Sequence, residues 1–424
     1  MNEEEESLRE ARARDRIGDC YIGGKSTPHS IHTVSFQPRG VDYNEDRVVM
    51  DKWDVYGQPW LFLAVFDGHL GAATADYAST ALPAAIRKKL HALVGSIGGR
   101  LDRDNLAVND KRLTRILKYE IEQFDTAIGQ ALKDVCPHPS DLRNERGARR
   151  FIEQHRDVVQ RAFCGTTLAL ALISLEGRCL WTANVGDSSI GLSHVDADGC
   201  VRGQRLSELH SFKNRKEFFR VNLEHRYFEQ PLVEDDRILG WLQPSRAIGD
   251  FSLKLRATYL AYLFRYMAFD DSHSGNTSLL PYIPKILTPP YISAEPHVSF
   301  MDLDPYWDTG SNLFLFTDGV DNLVDGCFVF TPEKHSDADP VDVIAKLLAD
   351  EIDPAIEETL GHRVVPRWSG LEDNRATDVL GNLLGGQEVE RLEMVTDMDR
   401  LDDQEGWPFH IDDVSIMVWP VTDL

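Results

Sequence analysis

Four apolar stretches of the chain border directly on acidic residues, and this pattern is the starting point for its interpretation. The first stretch, residues 61–66, runs straight into an Asp-Gly-His tripeptide. The acids at the ends of the four stretches are Asp67, Asp187, Asp318 and the pair Asp412-Asp413. A carboxylate at the end of a buried strand costs free energy unless it is paired or binds a cation. Four such acids spread along one chain therefore predict a shared metal site.

Three segments carry the spacing of helices. Residues 111–135 repeat apolar side chains at intervals of four and three positions, which predicts an amphipathic helix packed on a sheet. A second helix is predicted to begin just after Gly71, and Pro83 inside it predicts a kink or a split. Residues 331–410 mix helical periodicity with acidic loops, so we expect one or two helices there before the last strand.

Strand patterns occur in both halves of the chain. Residues 167–174, 178–184 and 188–195 are separated or followed by turn-forming residues at 176–177 and 196–199, which predicts an antiparallel meander. Helices gathered between runs of strands indicate an α+β fold. We therefore expect sheets and helices in separate layers.

The chain has no linker long enough to separate two independent domains. Residues 1–30 are charged and contain Gly, Ser and Pro, so we expect a loosely ordered acidic N-terminal segment. Residues 31–424 are predicted to form a single domain. Two stretches, about 136–160 and 256–288, break the strand pattern and are predicted to be insertions.

Charge and composition narrow the function. The 424 residues include 45 Lys and Arg against 69 Asp and Glu, a net charge of −24 that would repel nucleic acid. No apolar run approaches the roughly 18 residues of a membrane span, so we expect no membrane partner. The six cysteines form no Cys-x-x-Cys pair, and no targeting signal is visible at the start. We expect an intracellular protein, with the cytoplasm favoured.

The acidic motifs suit a hard cation. Asp-Gly pairs follow two of the apolar stretches and an acidic pair stands upstream of the first, at Asp67-Gly68, Asp318-Gly319 and Glu45-Asp46. Taken singly, each acid could be an ordinary turn residue or helix cap. Together they favour coordination of Mg²⁺ or Mn²⁺ by oxygen ligands. Such a site suits two-metal hydrolysis, in which a nearby imidazole, His69, could protonate the leaving oxygen.

In this order, the motifs resemble those of the metal-dependent protein phosphatase family, also called protein phosphatase 2C. The resemblance extends from about residue 31 to 419 and rests on residues 44–47, 65–71, 165–167, 183–188, 244–250, 294–296, 316–319 and 412–413. Residues 237–250, 288–296 and 373–377 look closest to the pyruvate dehydrogenase phosphatase branch of that family.

The resemblance implies a fold and a set of ligands. The fold would be a four-layer α-β-β-α sandwich of two antiparallel sheets flanked by helices, with two metal ions in a cleft at one end. Asp67 would bridge both ions and His69 would be the general acid. The other implied metal ligands, direct or through water, are Glu45, Asp46, Gly68, Asp318 and Asp412. Asp187 with Asp318 would offer a weaker third metal position.

Two positions depart from the family pattern. Val41 stands where the family often has an Arg that grips the substrate phosphate. Arg39 or Arg47 could substitute, although a surface Arg more commonly faces solvent or an ion pair. Asn322 replaces a frequent acid, which weakens the case for a third ion.

Several other residues are predicted to be structural. Arg246 and Asp250, four positions apart, are expected to pair with each other or with neighbours. Single histidines and tryptophans are expected to be packing residues, namely His210, His225, Trp181 and Trp241.

The resemblance implies a Mg²⁺- or Mn²⁺-dependent protein phosphatase that hydrolyses phosphoserine and phosphothreonine. The alternatives are a pseudophosphatase that acts as a binding or regulatory module, and an enzyme for small phosphoesters. Retention of the acids and of His69 favours catalysis. We expect a monomer that acts on phosphorylated proteins; the sequence identifies neither the substrate nor a regulatory subunit. Branch members act in mitochondria, which is the alternative location.

Overall fold

A computed structural model describes residues 3–26, 30–229, 231–267, 278–334, 336–349, 351, 353–402 and 409–422. In these ranges the α-helices are α1 (Glu3–Gly18), α2 (Ala73–Ser96), α3 (Arg103–Val135), α4 (Glu145–Gln154), α5 (Arg156–Phe163), α6 (Arg215–Glu224), α7 (Phe251–Lys254), α8 (Ala257–Tyr262), α9 (Gly319–Asp325), α10 (Pro340–Leu347), α11 (Ala355–Leu360), α12 (Arg375–Leu384), α13 (Val389–Met394) and α14 (Met398–Asp402). None of these helices has the length and apolar character needed to cross a membrane.

The strands of the described ranges are β1 (Tyr21–Ser26), β2 (Ile31–Phe36), β3 (Arg47–Val55), β4 (Gln58–Phe66), β5 (Gly68–His69), β6 (Gly165–Thr166), β7 (Leu168–Ser174), β8 (Cys179–Val185), β9 (Ser189–Val195), β10 (Val201–Arg205), β11 (Val233–Glu234), β12 (Arg237–Ile238), β13 (Ile248–Gly249), β14 (His297–Asp302), β15 (Asn312–Phe316) and β16 (Val414–Pro420). The first large sheet has the order β1-β2-β16-β15-β9-β10, and the second has the order β14-β8-β7-β4-β3. Neighbouring strands in both sheets are antiparallel.

Strand β4 shows how the chain builds four layers. Its residues Leu61, Leu63 and Val65 point into the core between the two sheets. The alternate residues, including Trp60 and Phe62, point to the opposite face and pack with α2, α3 and α5. Successive side chains of a strand point to opposite faces, so a strand buried on both faces reads as one continuous apolar run.

The other sheet is covered in the same way. Its outer face carries Val34, Phe314 and Ile416, which lie in one apolar cluster with residues of α9, α10 and α12. Helix layers therefore cover both outer faces of the paired sheets. The α+β prediction and the four-layer α-β-β-α sandwich are confirmed.

The predicted helices form with different bounds. Helix α3 ends at Val135 as predicted but begins at Arg103, eight residues before the predicted start at 111. Helix α2 passes through Pro83 without being split. The segment 331–410 forms the five helices α10 to α14 within its described residues, rather than one or two. Helices of five to ten residues leave too short a periodic pattern to be counted from sequence.

The predicted meander is wrong at one connection. Strands β7 and β8 pair, and β9 pairs with β10, but β8 belongs to the second sheet and β9 to the first. The chain crosses between the sheets at Gly186, whose φ of 96° favours glycine. The crossing places Asp187 at the edge of the sandwich, between the two sheets.

The N-terminal segment differs from the expected loose lead-in. Residues 3–18 form α1, in which Ala13 and Ile17 are fully buried, and β1 extends the first sheet. The charged residues obscured this from sequence because they occupy the exposed side of the helix, where Arg9 pairs with Glu393. Residues 1–2 and 27–29 of the predicted segment lie outside the described residues.

The two predicted insertions contain helices. Residues 136–160 include α4 and the start of α5, and α5 contacts α2 and α3 in the outer layer. Residues 256–288 include α8, and residues 268–277 of that stretch lie outside the described part of the chain. Whether either stretch is an insertion relative to other proteins stays a prediction.

Candidate metal centre

The acids that end the apolar stretches meet at one edge of the sandwich. Strands β4, β8 and β15 all end there, and β16 begins there. They open into a cleft of about 430 Å³. Of the residues predicted from sequence, the cleft lining contains Glu45, Asp67, Gly68, His69, Asp187, Asp318 and Asp412. Residues separated by more than 360 positions therefore share one site.

Burial and mutual repulsion disfavour ionisation of the carboxylates in this cleft. Burial, and then the charge of Asp318, raise the pKa of Asp67 well above its usual value. Burial and the same neighbour raise the pKa of Asp187 to about 8. Burial and Asp412 raise the pKa of Asp318 to about 7. A bound cation would offset this repulsion, because opposite charge favours the ionised form.

The donor chemistry fits a hard divalent cation. The cleft offers carboxylate oxygens, and one buried oxygen of Asp187, Oδ2, has no hydrogen-bond partner among the described residues. The same is true of Asp46 Oδ1, which lies buried behind the cleft. Among the described His, Cys, Asp and Glu side chains, no group of three is already arranged as a complete chelating site. The cleft therefore fits a divalent cation through the type and number of the donors that face it.

Hydrogen bonds from the backbone position the first acidic pair. The Glu45 carboxylate accepts from the Gly71 amide at 3.2 Å, and the Glu45 amide donates to Asp413 Oδ2 at 2.7 Å. Asp46 Oδ2 accepts from the Thr317 hydroxyl at 2.9 Å. Asp413 thus anchors the loop that carries Glu45, a role the sequence did not assign to it.

Gly68 allows the loop and the strand end to approach closely. A Cβ at this position would lie 2.5 Å from the Glu45 carbonyl oxygen. The Asp-Gly signal therefore reflects a close approach of two backbone segments rather than an exposed turn.

His69 is held by a buried carboxylate. Its Nε2 lies 2.8 Å from Asp250 Oδ2, and the Asp250 side chain is 1% exposed. Burial alone would lower the pKa of His69, but Asp250 outweighs it and the pKa is raised. A Cβ at Gly165 would lie 2.1 Å from the His69 ring, so this glycine leaves room for the pair. The ring is therefore fixed at the cleft.

Arg246 and Asp250 pair with neighbouring residues rather than with each other, which is one of the two outcomes expected from sequence. Arg246 Nη2 instead donates to the buried carboxylate of Glu217 at 2.7 Å, and Arg220 and Ser245 bind the same carboxylate. Asp250 stands immediately before the short helix α7 with a φ of 53°, and its side chain contacts His69. The four-residue spacing was misleading because these residues are not on one helix.

Comparison with known proteins decides the family. A model of the protein phosphatase 2C family, described as "Protein phosphatase 2C", matches residues 56–325. The chain belongs to the protein phosphatase 2C family. This match spans both halves of the chain and includes His69 and three of the cleft acids, Asp67, Asp187 and Asp318.

The curated relatives agree with the family. Human mitochondrial [pyruvate dehydrogenase [acetyl-transferring]]-phosphatase 1 is 34% identical over 164 residues, which cover 38% of this chain and 29% of that protein. Probable protein phosphatase 2C 40 of Arabidopsis thaliana is 26% identical over 288 residues, covering 65% of this chain and 53% of that protein. The chain thus spans about a third to a half of the relatives it matches. The resemblance to the pyruvate dehydrogenase phosphatase branch is confirmed.

A solved structure agrees with the fold. The serine-threonine phosphatase 2C from Toxoplasma gondii matches with a TM-score of 0.50 at 12% identity, over 94% of this chain and 98% of that one. At this identity the likeness concerns the fold alone.

Neither arginine predicted to bind phosphate lines the cleft. Arg39 Nη1 donates to Asp402 at 2.6 Å, and Arg47 Nε donates to Asp76 at 2.5 Å. Both side chains form surface ion pairs. A surface Arg is more commonly found in such a pair than bound to a substrate phosphate.

Asp321, one residue before Asn322, is an acid whose charge interacts with that of Asp187. Burial and the charge of Asp187 contribute to a pKa of about 7 for Asp321, against an opposing effect of Arg205. The sequence argument against a third ion considered Asn322 in α9 but did not consider the acid beside it, Asp321.

Sequence reasoning missed one group of residues that line the cleft together with the acids. They are Arg237, Trp241, Tyr282 and His410. Trp241 was predicted to be a core residue, but it is only partly buried and stacks on Tyr282 with ring centroids 4.9 Å apart. No local pattern marks these residues, because three separate loops bring them together. Trp181, by contrast, is fully buried as predicted.

Proposed function

We propose that this chain is a metal-dependent protein phosphatase that hydrolyses phosphoserine and phosphothreonine in proteins. The observation that carries the proposal is that carboxylates at the ends of four strands share one cleft with His69, whose ring contacts the buried Asp250. Family membership supports the reaction class, and the relatives named as phosphatases support a phosphoprotein substrate.

The residues take distinct roles in this proposal. Asp67 and the Gly68 carbonyl, with Glu45, Asp318 and Asp412, would hold two Mg²⁺ or Mn²⁺ ions, and Asp46 would orient water. Bound ions of this kind supply an activated water and neutralise charge on the phosphoryl group. Asp187, with Asp318 and Asp321, would offer the weaker third position.

His69 handles the proton in this scheme. Its ring is fixed through Nε2 by Asp250, which favours the protonated form. A fixed imidazolium at the cleft can donate a proton to the leaving alkoxide oxygen of serine or threonine. The Asp250 carboxylate keeps the ring in place as the proton leaves.

The pseudophosphatase alternative has no observation in its favour. A scaffold would not need the predicted metal ligands. This chain retains them, and they face one cleft, where their mutual repulsion costs free energy. The named relatives include mitochondrial phosphatases, so a mitochondrial location is the favoured proposal over the cytoplasm.

The test is hydrolysis of a phosphothreonine peptide and of p-nitrophenyl phosphate with EDTA, Mg²⁺ or Mn²⁺. We expect turnover that EDTA removes and either metal restores. Asp67→Asn should lose at least about 100-fold of this activity, because it changes a ligand shared by both ions. Asp76→Asn is the matched control, since Asp76 is an exposed acid that pairs with Arg47 outside the cleft. Equal turnover in Asp67→Asn and wild type would refute the proposed centre.

A further inference from the structure

The acidic cleft needs a cation that can bind the phosphate of a substrate. Position 41 supplies none, and Arg39 and Arg47 are engaged with acids elsewhere. Among the described residues that line the cleft, Arg237 is the one Arg or Lys. It lies on β12.

The known contacts of Arg237 leave its charge directed at the cleft. Its Nη1 donates to the Trp241 carbonyl at 3.1 Å, and its Nη2 contacts Gln243 Oε1 at 3.4 Å. Both acceptors are uncharged, and within the described residues Arg237 forms no ion pair with an acid. A guanidinium has five N–H donors, so these two contacts orient the side chain and leave donors for a ligand. Asp412 raises the pKa of His410, another residue that lines the cleft, and the charge of Arg237 has a weaker lowering effect.

Residues 278–286 hold the segment that carries Arg237. Lys285 Nζ donates to the Leu239 carbonyl at 2.8 Å and pairs with Glu234 at 3.0 Å. Tyr282 stacks on Trp241, the residue whose carbonyl accepts from Arg237. The hairpin of β11 and β12 is therefore fastened on both sides of Arg237, and the guanidinium is positioned before a substrate arrives.

We propose that Arg237 binds the substrate phosphate in this chain, in place of the Arg that position 41 lacks. The proposal rests on the proposed phosphatase function. Planar guanidinium groups bind phosphate oxygens in a bidentate manner, which positions the phosphoryl group as well as attracting it. Residues 278–286, with Lys285 and Tyr282, are positioning residues that act through Arg237.

The experiment compares Arg237→Ala and Arg237→Lys with wild type and with Arg39→Ala, which removes an Arg outside the cleft. KM and kcat are measured on a phosphothreonine peptide, and inorganic phosphate is used as a competitive inhibitor. For Arg237→Ala we expect KM and the inhibition constant of phosphate to rise about 10- to 100-fold, the range of a charge-assisted hydrogen bond. Arg237→Lys should recover part of this loss, and free guanidinium should partly rescue Arg237→Ala.

The outcomes separate this proposal from the phosphatase function itself. Unchanged Mn²⁺ affinity and melting temperature in Arg237→Ala, with the expected loss of phosphate affinity, support the proposal. Wild-type affinity for phosphate in Arg237→Ala would overturn it, as would a larger loss in Arg39→Ala. If wild type shows no metal-dependent turnover, the phosphatase function fails. Phosphate affinity, measured by calorimetry with Mn²⁺ present, still decides for or against Arg237 in that case.

Discussion

A buried histidine far from the cleft should make stability depend on pH. His32 lies on β2 and is 6% exposed. Its Nδ1 accepts a hydrogen bond from the Arg375 amide at 3.0 Å, at the N-terminal end of α12. Burial, and then the charge of Lys25, lower the pKa of His32 to about 4, while Asp373 opposes them. Arg375 also lowers the pKa of His32, and Asp378 raises it.

The magnitude follows from the difference between the folded and unfolded pKa. An unfolded histidine titrates near 6.5, so between about pH 6.5 and pH 4 the unfolded chain binds more protons than the folded one. Stability therefore falls as the pH is lowered through this window. From pH 7.5 to pH 5, His32 should lower the free energy of unfolding by about 2 kcal/mol. This figure uses about 1.4 kcal/mol per pH unit in the window where the unfolded chain binds the extra proton.

The assay is urea unfolding of wild type and His32→Asn between pH 7.5 and pH 5. Asn keeps an acceptor for the Arg375 amide but does not titrate. Contributions of the cleft acids are the same in both proteins and cancel in the difference. We expect the wild type to lose about 2 kcal/mol more than the variant over this range. Parallel pH profiles of the two proteins would refute the reasoning.

Two further predictions concern the catalytic proton and the buried ion pair. His69→Ala should lower kcat about 100-fold or more on an alkyl phosphate or phosphothreonine peptide but far less on p-nitrophenyl phosphate, whose leaving group needs no proton; equal losses would contradict the general-acid role. Glu217→Gln should cost about 3 kcal/mol of stability in urea unfolding, because it leaves Arg246 without its buried partner. The control Glu224→Gln, at a half-exposed site, should cost less than about 1 kcal/mol, and equal costs would contradict this account.

The meeting of the acids in one cleft could be predicted from sequence because its signal was local. Asp67, Asp187 and Asp318 each follow a continuous apolar run, and such a run marks a strand buried on both faces. Strands of stacked sheets end at common edges, so acids at several strand ends were expected to meet. The structure brings these residues into one cleft.

The cleft wall and the partners of charged residues could not be predicted in this way. Asp250 binds His69 across 181 positions, and Glu217 rather than Asp250 receives Arg246. Such pairings depend on how loops fold over the sandwich, and neither hydrophobic period nor spacing encodes them. Arg237 was missed for the same reason, because its place in the cleft depends on the β11–β12 hairpin.

The connection between the sheets was also beyond sequence reasoning. Strands β8 and β9 are close in sequence and alike in composition, so pairing them was the simplest prediction. At Gly186, which has a positive φ, the chain instead crosses to the other sheet. This crossing places Asp187 at the cleft. The departure from the simple pattern occurs at the functional site.

The most direct test of the metal centre is a calorimetric titration of Mn²⁺ into the purified protein, wild type and Asp67→Asn, with Asp76→Asn as control. Our account predicts that wild type and the control bind at least two ions, and that Asp67→Asn loses one ion or binds both far more weakly while its urea unfolding stays cooperative. Equal stoichiometry and affinity in wild type and Asp67→Asn would contradict the claim that the acids at the strand ends form a metal centre.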